Sequence, residues 1–100
     1  MARYDFIAVY IIANRKNGTL YTGVTSDLPK RMSLHKIGRG SDFAAEHECN
    51  KLVWFQRYTE MHPAIRHEKR IKRWKRQWKI DLIEESTPDW KDLSMDVLVY

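Results

Sequence analysis

One cysteine, Cys49, stands alone in 100 residues. A lone thiol cannot close an intramolecular disulfide, and a structural zinc cluster of several cysteines is excluded. Glycine and proline are scarce, at four and three, which sets aside collagen-like and low-complexity architectures. No apolar run approaches the roughly 18 residues needed to cross a bilayer. Residues 1–12 carry an acid at Asp5 and lack an apolar stretch ending in a small-residue cleavage site, so they do not read as a signal peptide. The cytoplasm is the compartment expected from these absences. Acid is also nearly missing from one segment: between 64 and 79 Glu68 is the sole acidic residue.

What is present is a globular composition, 43% hydrophobic with four tryptophans, in a length that can bury one core without staples. The formal net charge is +5. Eight Lys or Arg residues crowd the segment 64–79: Arg66, Lys69, Arg70, Lys72, Arg73, Lys75, Arg76 and Lys79. The segment 81–96 is mostly acidic. A concentrated basic stretch is the electrostatic footprint of a phosphate-backbone partner; a solvated helix face in a basic protein would look the same.

The order of elements follows from local patterns. Residues 5–13 are β-branched and aromatic and predict a strand, Asn17-Gly18 is a two-residue hairpin signal, and 19–24 returns as a second strand. Ser26 or Asp27 caps a helix over 28–36 with Pro29 in its first turn, and Gly38 and Gly40 stop it. A short helix is possible over 43–47. Residues 51–58 predict a third strand. Thr59 or Glu60 caps the next helix, which runs through the basic segment, and 78–83 continues or restarts it. Thr87-Pro88 ends the helical region, leaving a short final strand or loose tail over 96–100. One α+β domain over 1–100, with its core over about 6–93 and a tail over 94–100, is the simplest organisation.

Three placements on this frame point to chemistry. A two-residue turn at Asn17-Gly18 pairs Asn14 with Tyr21, and strand alternation then puts Tyr10 and Tyr21 on one face; ordinary core aromatics would do likewise. On the helix over 28–36, Arg31 and His35 are four residues apart and share a side with Leu28 and Met32. On the basic helix, Met61, Ala64, Ile65 and Ile71 form the apolar stripe, and Glu68 falls within it. A carboxylate there needs a compensating cation. A divalent metal or a basic partner would supply one, and so would Lys72 in the favourable i,i+4 order. Phenols, a guanidinium, an imidazole and a carboxylate beside a basic surface are the parts phosphodiester hydrolysis needs. Water must lose a proton, phosphate charge must be neutralised, and the leaving oxygen must be assisted.

These residues give the chain a resemblance to the GIY-YIG nuclease superfamily, in particular its small stand-alone bacterial members, from about Phe6 to Leu93. The first motif reads Ala8-Val9-Tyr10 and the second Tyr21-Thr22-Gly23, within NGTLYTGVTSDLPKR. Arg31 and His35 occupy the family's arginine and histidine positions. Glu68, in AIRHEKRIKRWKRQWK, matches its metal-binding glutamate, and LIEESTPDWKDL is similar to the subgroup's closing segment. The chain departs from the motifs at Ala8, Val9 and Thr22, and carries Thr87 before Pro88 where the family often has asparagine.

The resemblance implies a three-stranded antiparallel sheet flanked by helices and one divalent metal, Mg2+ or Mn2+, held through Glu68. It implies that Arg31 holds phosphate, that Tyr10 or Tyr21 acts as or positions the general base, and that His35 orients or deprotonates a tyrosine. The expected activity is a metal-dependent DNA endonuclease in repair or processing, with RNA not excluded as a substrate. Two alternatives stand beside it. One is a non-catalytic nucleic-acid-binding module that keeps the fold. The other is an interaction protein that docks a partner through Trp74, Trp78 and Trp90.

Overall fold

The strand expected over the first apolar run has no polar face, and the reason is its position. A computed structural model describes residues 6–98. In it β1 (Ile7–Ala13) lies between β2 (Leu20–Thr25) and β3 (Lys51–Tyr58), antiparallel to both. All seven β1 residues are buried. A central strand covered on both faces needs an unbroken apolar run, and IAVYIIA supplies one.

The helices divide between the two faces. One face presents Ala8, Tyr10 and Ile12 to Leu28 and Met32 of α1 (Leu28–Lys36), with Ala44 of α2 (Asp42–Glu46) and Val97 of α5 (Ser94–Leu98). The other presents Val9, Ile11 and Ala13 to Ala64 and Ile71 of α3 (Met61–Arg73) and Ile83 of α4 (Arg76–Ser86). Each fully buried Ile or Leu contributes about 1.5–3 kcal/mol by leaving water. No helix among the described residues is long and apolar enough to cross a membrane.

The cap of α1 follows the expected chemistry. Asp27 accepts from the Lys30 amide at 3.2 Å, with proline in the first turn of α1. Glu60 begins α3 without a side-chain bond. The basic segment restarts rather than continues: Trp74 and Lys75 are extended, at ψ 148 and 157, and separate α3 from α4.

Two expectations change. The hairpin is not closed by a two-residue turn. Ala13 pairs with Leu20 and Ile12 with Tyr21, so the connecting loop takes in 14–19. Asn14 holds this longer loop shut by accepting the Thr19 amide at 2.9 Å, while Asn17 takes a left-handed φ of 60. The register differs from the expected one by two residues, which preserves facing, so Tyr10 and Tyr21 still point the same way. At the other end, 96–98 belong to helix α5 rather than to a strand or loose tail. Val97 is buried there against the α1 side of the sheet. The remainder of that expected segment, like the start of β1 expected at Asp5, lies outside the described residues.

Candidate active site

Strand alternation carries Tyr10 and Tyr21 to the α1 face of the sheet, and α1 lays His35 against both. The Tyr10 and Tyr21 ring centroids are 6.4 Å apart, and His35 lies 5.6 Å from Tyr10 and 5.8 Å from Tyr21. The Tyr10 Oη and His35 Nε2 share a hydrogen bond of 2.9 Å. Tyr10 is fully buried at 0% exposure and His35 nearly so at 4%. Tyr21 is only half-buried, so it is the phenol of the pair that reaches solvent.

Burial separates the two titrations of the Tyr10–His35 pair. Desolvation raises the Tyr10 phenol well above its ordinary value; the nearby Arg31 guanidinium opposes this through its charge and a hydrogen bond. Desolvation and then the Arg31 charge push the His35 imidazole down to about 4. The phenol holds its proton more tightly and the imidazole accepts one less readily, so transfer from Tyr10 to His35 is uphill. This hydrogen bond is suited to fixing the phenol rather than to ionising it.

Two glycines make the triad possible by what they omit. A Cβ on Gly23 would lie 2.5 Å from the Tyr10 Oη, and one on Gly40 would lie 2.4 Å from His35 Nδ1. Gly23 is the last residue of the second motif. Gly40 reads from sequence as a helix stop, whereas here it gives the imidazole room after the chain has turned. Nothing local in the sequence links 35 with 40 in this way.

Phe43 is a second residue that sequence reasoning passes over. It stacks on Tyr21 at 6.2 Å and on His47 at 4.3 Å, and remains 46% exposed. The stack extends the aromatic surface of Tyr21 outward.

Glu68 sits where the helical projection puts it, within the buried stripe of α3 at 7% exposure. Lys72 donates to its Oε2 at 2.7 Å and lies 5.9 Å from the centre of the Tyr21 ring. The carboxylate is therefore close to the tyrosines and already faces a cation. Among the described residues no group of three or more His, Cys, Asp or Glu side chains is placed to hold a metal.

The basic residues of this segment are exposed, except half-buried Lys79, and do not form one surface. Lys72 turns toward Glu68 and Tyr21. Arg76 reaches the hairpin, donating to the Asn17 carbonyl at 2.8 Å. Lys75 covers Trp78. Arg70 is on the opposite side, where its charge acts on the hydrogen-bonded Tyr58 and His67. Arg66, Lys69 and Arg73 occupy the exposed side of α3. Thr87 is buried at the end of α4, where its carbonyl accepts the Trp90 amide at 3.0 Å. Among the described residues its side chain bonds to none of the tyrosine, arginine, histidine or glutamate groups. The tryptophans do not form one patch: Trp90 is buried and donates to Glu84 at 2.8 Å, while Trp78 is 51% exposed.

The flanked antiparallel sheet presents paired tyrosines from its central and edge strands, beside an arginine, a histidine and a helix glutamate. The GIY-YIG catalytic domain matches residues 6–81, and the chain belongs to the GIY-YIG nuclease superfamily. It is 34% identical to a UPF0213 protein of Staphylococcus haemolyticus over 77 residues, which cover 77% of this chain and 93% of that one. A UPF0213 protein of Haloquadratum walsbyi is 32% identical over 83 residues, covering 83% and 92%. No solved structure matches the chain at a significant level.

Proposed function

We propose that the protein is a divalent-metal-dependent endonuclease that hydrolyses phosphodiester bonds in DNA, in a repair or processing role. The observation that carries this reading is the convergence of Tyr10, Tyr21, His35 and the buried Glu68 within one short span of the fold.

The donor set is compatible with magnesium or manganese. These hard cations need one or two carboxylates from a protein and take the rest of their shell from water and substrate phosphate. Glu68 would be the protein ligand, displacing its contact with Lys72. Bound there, the metal supplies neutralisation of phosphate charge and help to the leaving oxygen.

The remaining steps belong to the chain's own groups. Arg31, half-exposed beside Tyr10, clamps the phosphate through charge-assisted hydrogen bonds. Tyr21, the solvent-reaching phenol, orients the attacking water. Tyr10 and His35 hold the floor beneath it, with His35 neutral through the physiological range. The basic residues of α3 and α4 attract the nucleic-acid backbone.

A second reading, a nucleic-acid-binding module without turnover, draws on one observation: Glu68 is already neutralised by Lys72 at 2.7 Å. Incubating the protein with DNA and added magnesium or manganese separates the two. Multiple turnovers that a chelator stops support the endonuclease. Salt-dependent binding with no cleavage under either metal supports the module.

A further inference from the structure

A cleft of about 480 Å³ opens where the β1–β2 hairpin meets the start of α4, lined by Arg15, Asn17, Gly18, Leu20, Arg76 and Lys79 among others. Three of its lining residues are cations and none is an acid. Arg76 is fixed in place, donating to the carbonyls of Asn17 at 2.8 Å and Gly18 at 2.6 Å. Among the described residues neither Arg15 nor Lys79 enters an ion pair. Lys79 is half-buried, and burial followed by the charges of Lys72 and Arg76 makes its ammonium easier to deprotonate. Positive charge is thus gathered at one concave place, with no acid among the described residues that line it.

Lys72 lies between the cleft and the candidate active site. Lys72, whose charge acts on Lys79, contacts Glu68 and overlies Tyr21. Gly18 and Tyr21 are three residues apart in the sequence, at most about 10 Å even in a fully extended chain. One polyanion could occupy both places at once.

We infer that this cleft binds a backbone phosphate of the nucleic acid, separate from the phosphate held at Arg31 and Glu68, with Arg15 and Lys79 as its cationic contacts. The inference rests on the nucleic-acid reading proposed above and adds a second anchoring point to it. An anchor remote from the chemistry would set the direction in which the strand crosses Tyr21.

The test is the salt dependence of binding to a fluorescent DNA oligonucleotide, with chelator present so that no cleavage occurs. Each phosphate contact contributes about 0.7–0.9 to the slope of log affinity against log salt. Arg15→Ala combined with Lys79→Ala removes that one phosphate contact and is expected to flatten the slope by about 0.7–0.9. Arg15→Lys combined with Lys79→Arg is expected to restore it, which separates lost charge from lost fold. Lys30→Ala combined with Lys91→Ala, exposed lysines elsewhere, is expected to leave the slope unchanged. Binding with an unaltered slope in the Arg15/Lys79 variant overturns the cleft and leaves the proposed function standing. An equal flattening in the Lys30/Lys91 variant also overturns the cleft. Absence of salt-dependent binding by the unmodified protein overturns both.

Discussion

The Tyr10 hydroxyl and the His35 imidazole meet at 2.9 Å in a place where both rings are buried. The same burial that favours a neutral phenol favours a neutral imidazole, so the pair is most stable with neither group charged. A folded value of about 4 for His35, against about 6.5 in an unfolded chain, gives a definite pH dependence. Unfolded chains bind the proton first. The stabilisation is therefore complete above the unfolded value, falls as pH drops toward the folded one, and is flat below it. The loss is about 3 kcal/mol across that window. Denaturant midpoints measured at several pH values should show it in the unmodified protein, and His35→Gln should remove most of the slope. Equal slopes in the two proteins would mean that folding leaves the His35 titration where it stands in the unfolded chain.

Gly40→Ala is expected to lower cleavage by about 100-fold, because moving a positioning group by an ångström costs on that order. The new methyl would begin 2.4 Å from His35 Nδ1. Gly23→Ala is expected to do the same through Tyr10, which it would meet at 2.5 Å. Circular dichroism should show the sheet and helices retained in the Gly40 variant while the His35 ring resonances shift. Full activity in Gly40→Ala would show that the imidazole need not lie where it does.

Thr22 offers a change in the opposite direction. Its Oγ1 is buried with no hydrogen-bond partner among the described residues, at the position where the related motif carries isoleucine. An unsatisfied buried hydroxyl costs about 1–3 kcal/mol. Thr22→Val keeps the shape and removes the polar atom, so it should raise the melting temperature by several degrees in a chain of this size. Cleavage should be unaffected, since Thr22 pairs with Ile11 and faces away from Tyr21. A melting temperature that falls would point to a partner for the hydroxyl.

Lys72 occupies the carboxylate proposed to hold the metal, and its side chain is 50% exposed while that of Glu68 is 9% exposed. Replacing it with methionine should leave Glu68 free for a divalent cation. Lys72→Met is expected to lower, several-fold, the magnesium or manganese concentration at half-maximal cleavage. Its stability without metal should fall, because a buried carboxylate has lost its counter-charge. An unmoved metal midpoint would separate Lys72 from the metal site.

The elements were legible in the sequence where local chemistry decides them. Asp27 and Pro29 mark the start of α1 because a cap acts within one turn, and Glu68 stands out because helical geometry is regular over 61–73. The facing of Tyr10 and Tyr21 survived an incorrect turn because the register differs by an even number of residues. The rest depends on contacts between segments. Gly40 is close to His35 only after the chain reverses beyond α1. Phe43 meets Tyr21 only when α2 folds back over the sheet. The break at Trp74 has no glycine or proline to announce it. The basic run reads as one surface along the chain, yet Arg70 and Lys72 serve opposite sides of α3.

The central claim is that Glu68 supports metal-dependent cleavage beside the tyrosines. The direct measurement is turnover of a DNA substrate against magnesium or manganese concentration, for the unmodified protein and for Glu68→Ala, with folding of both confirmed. The expected result is multiple turnovers that require the metal in the unmodified protein and none above background in the variant. Undiminished metal-dependent turnover in a folded Glu68→Ala variant would contradict it.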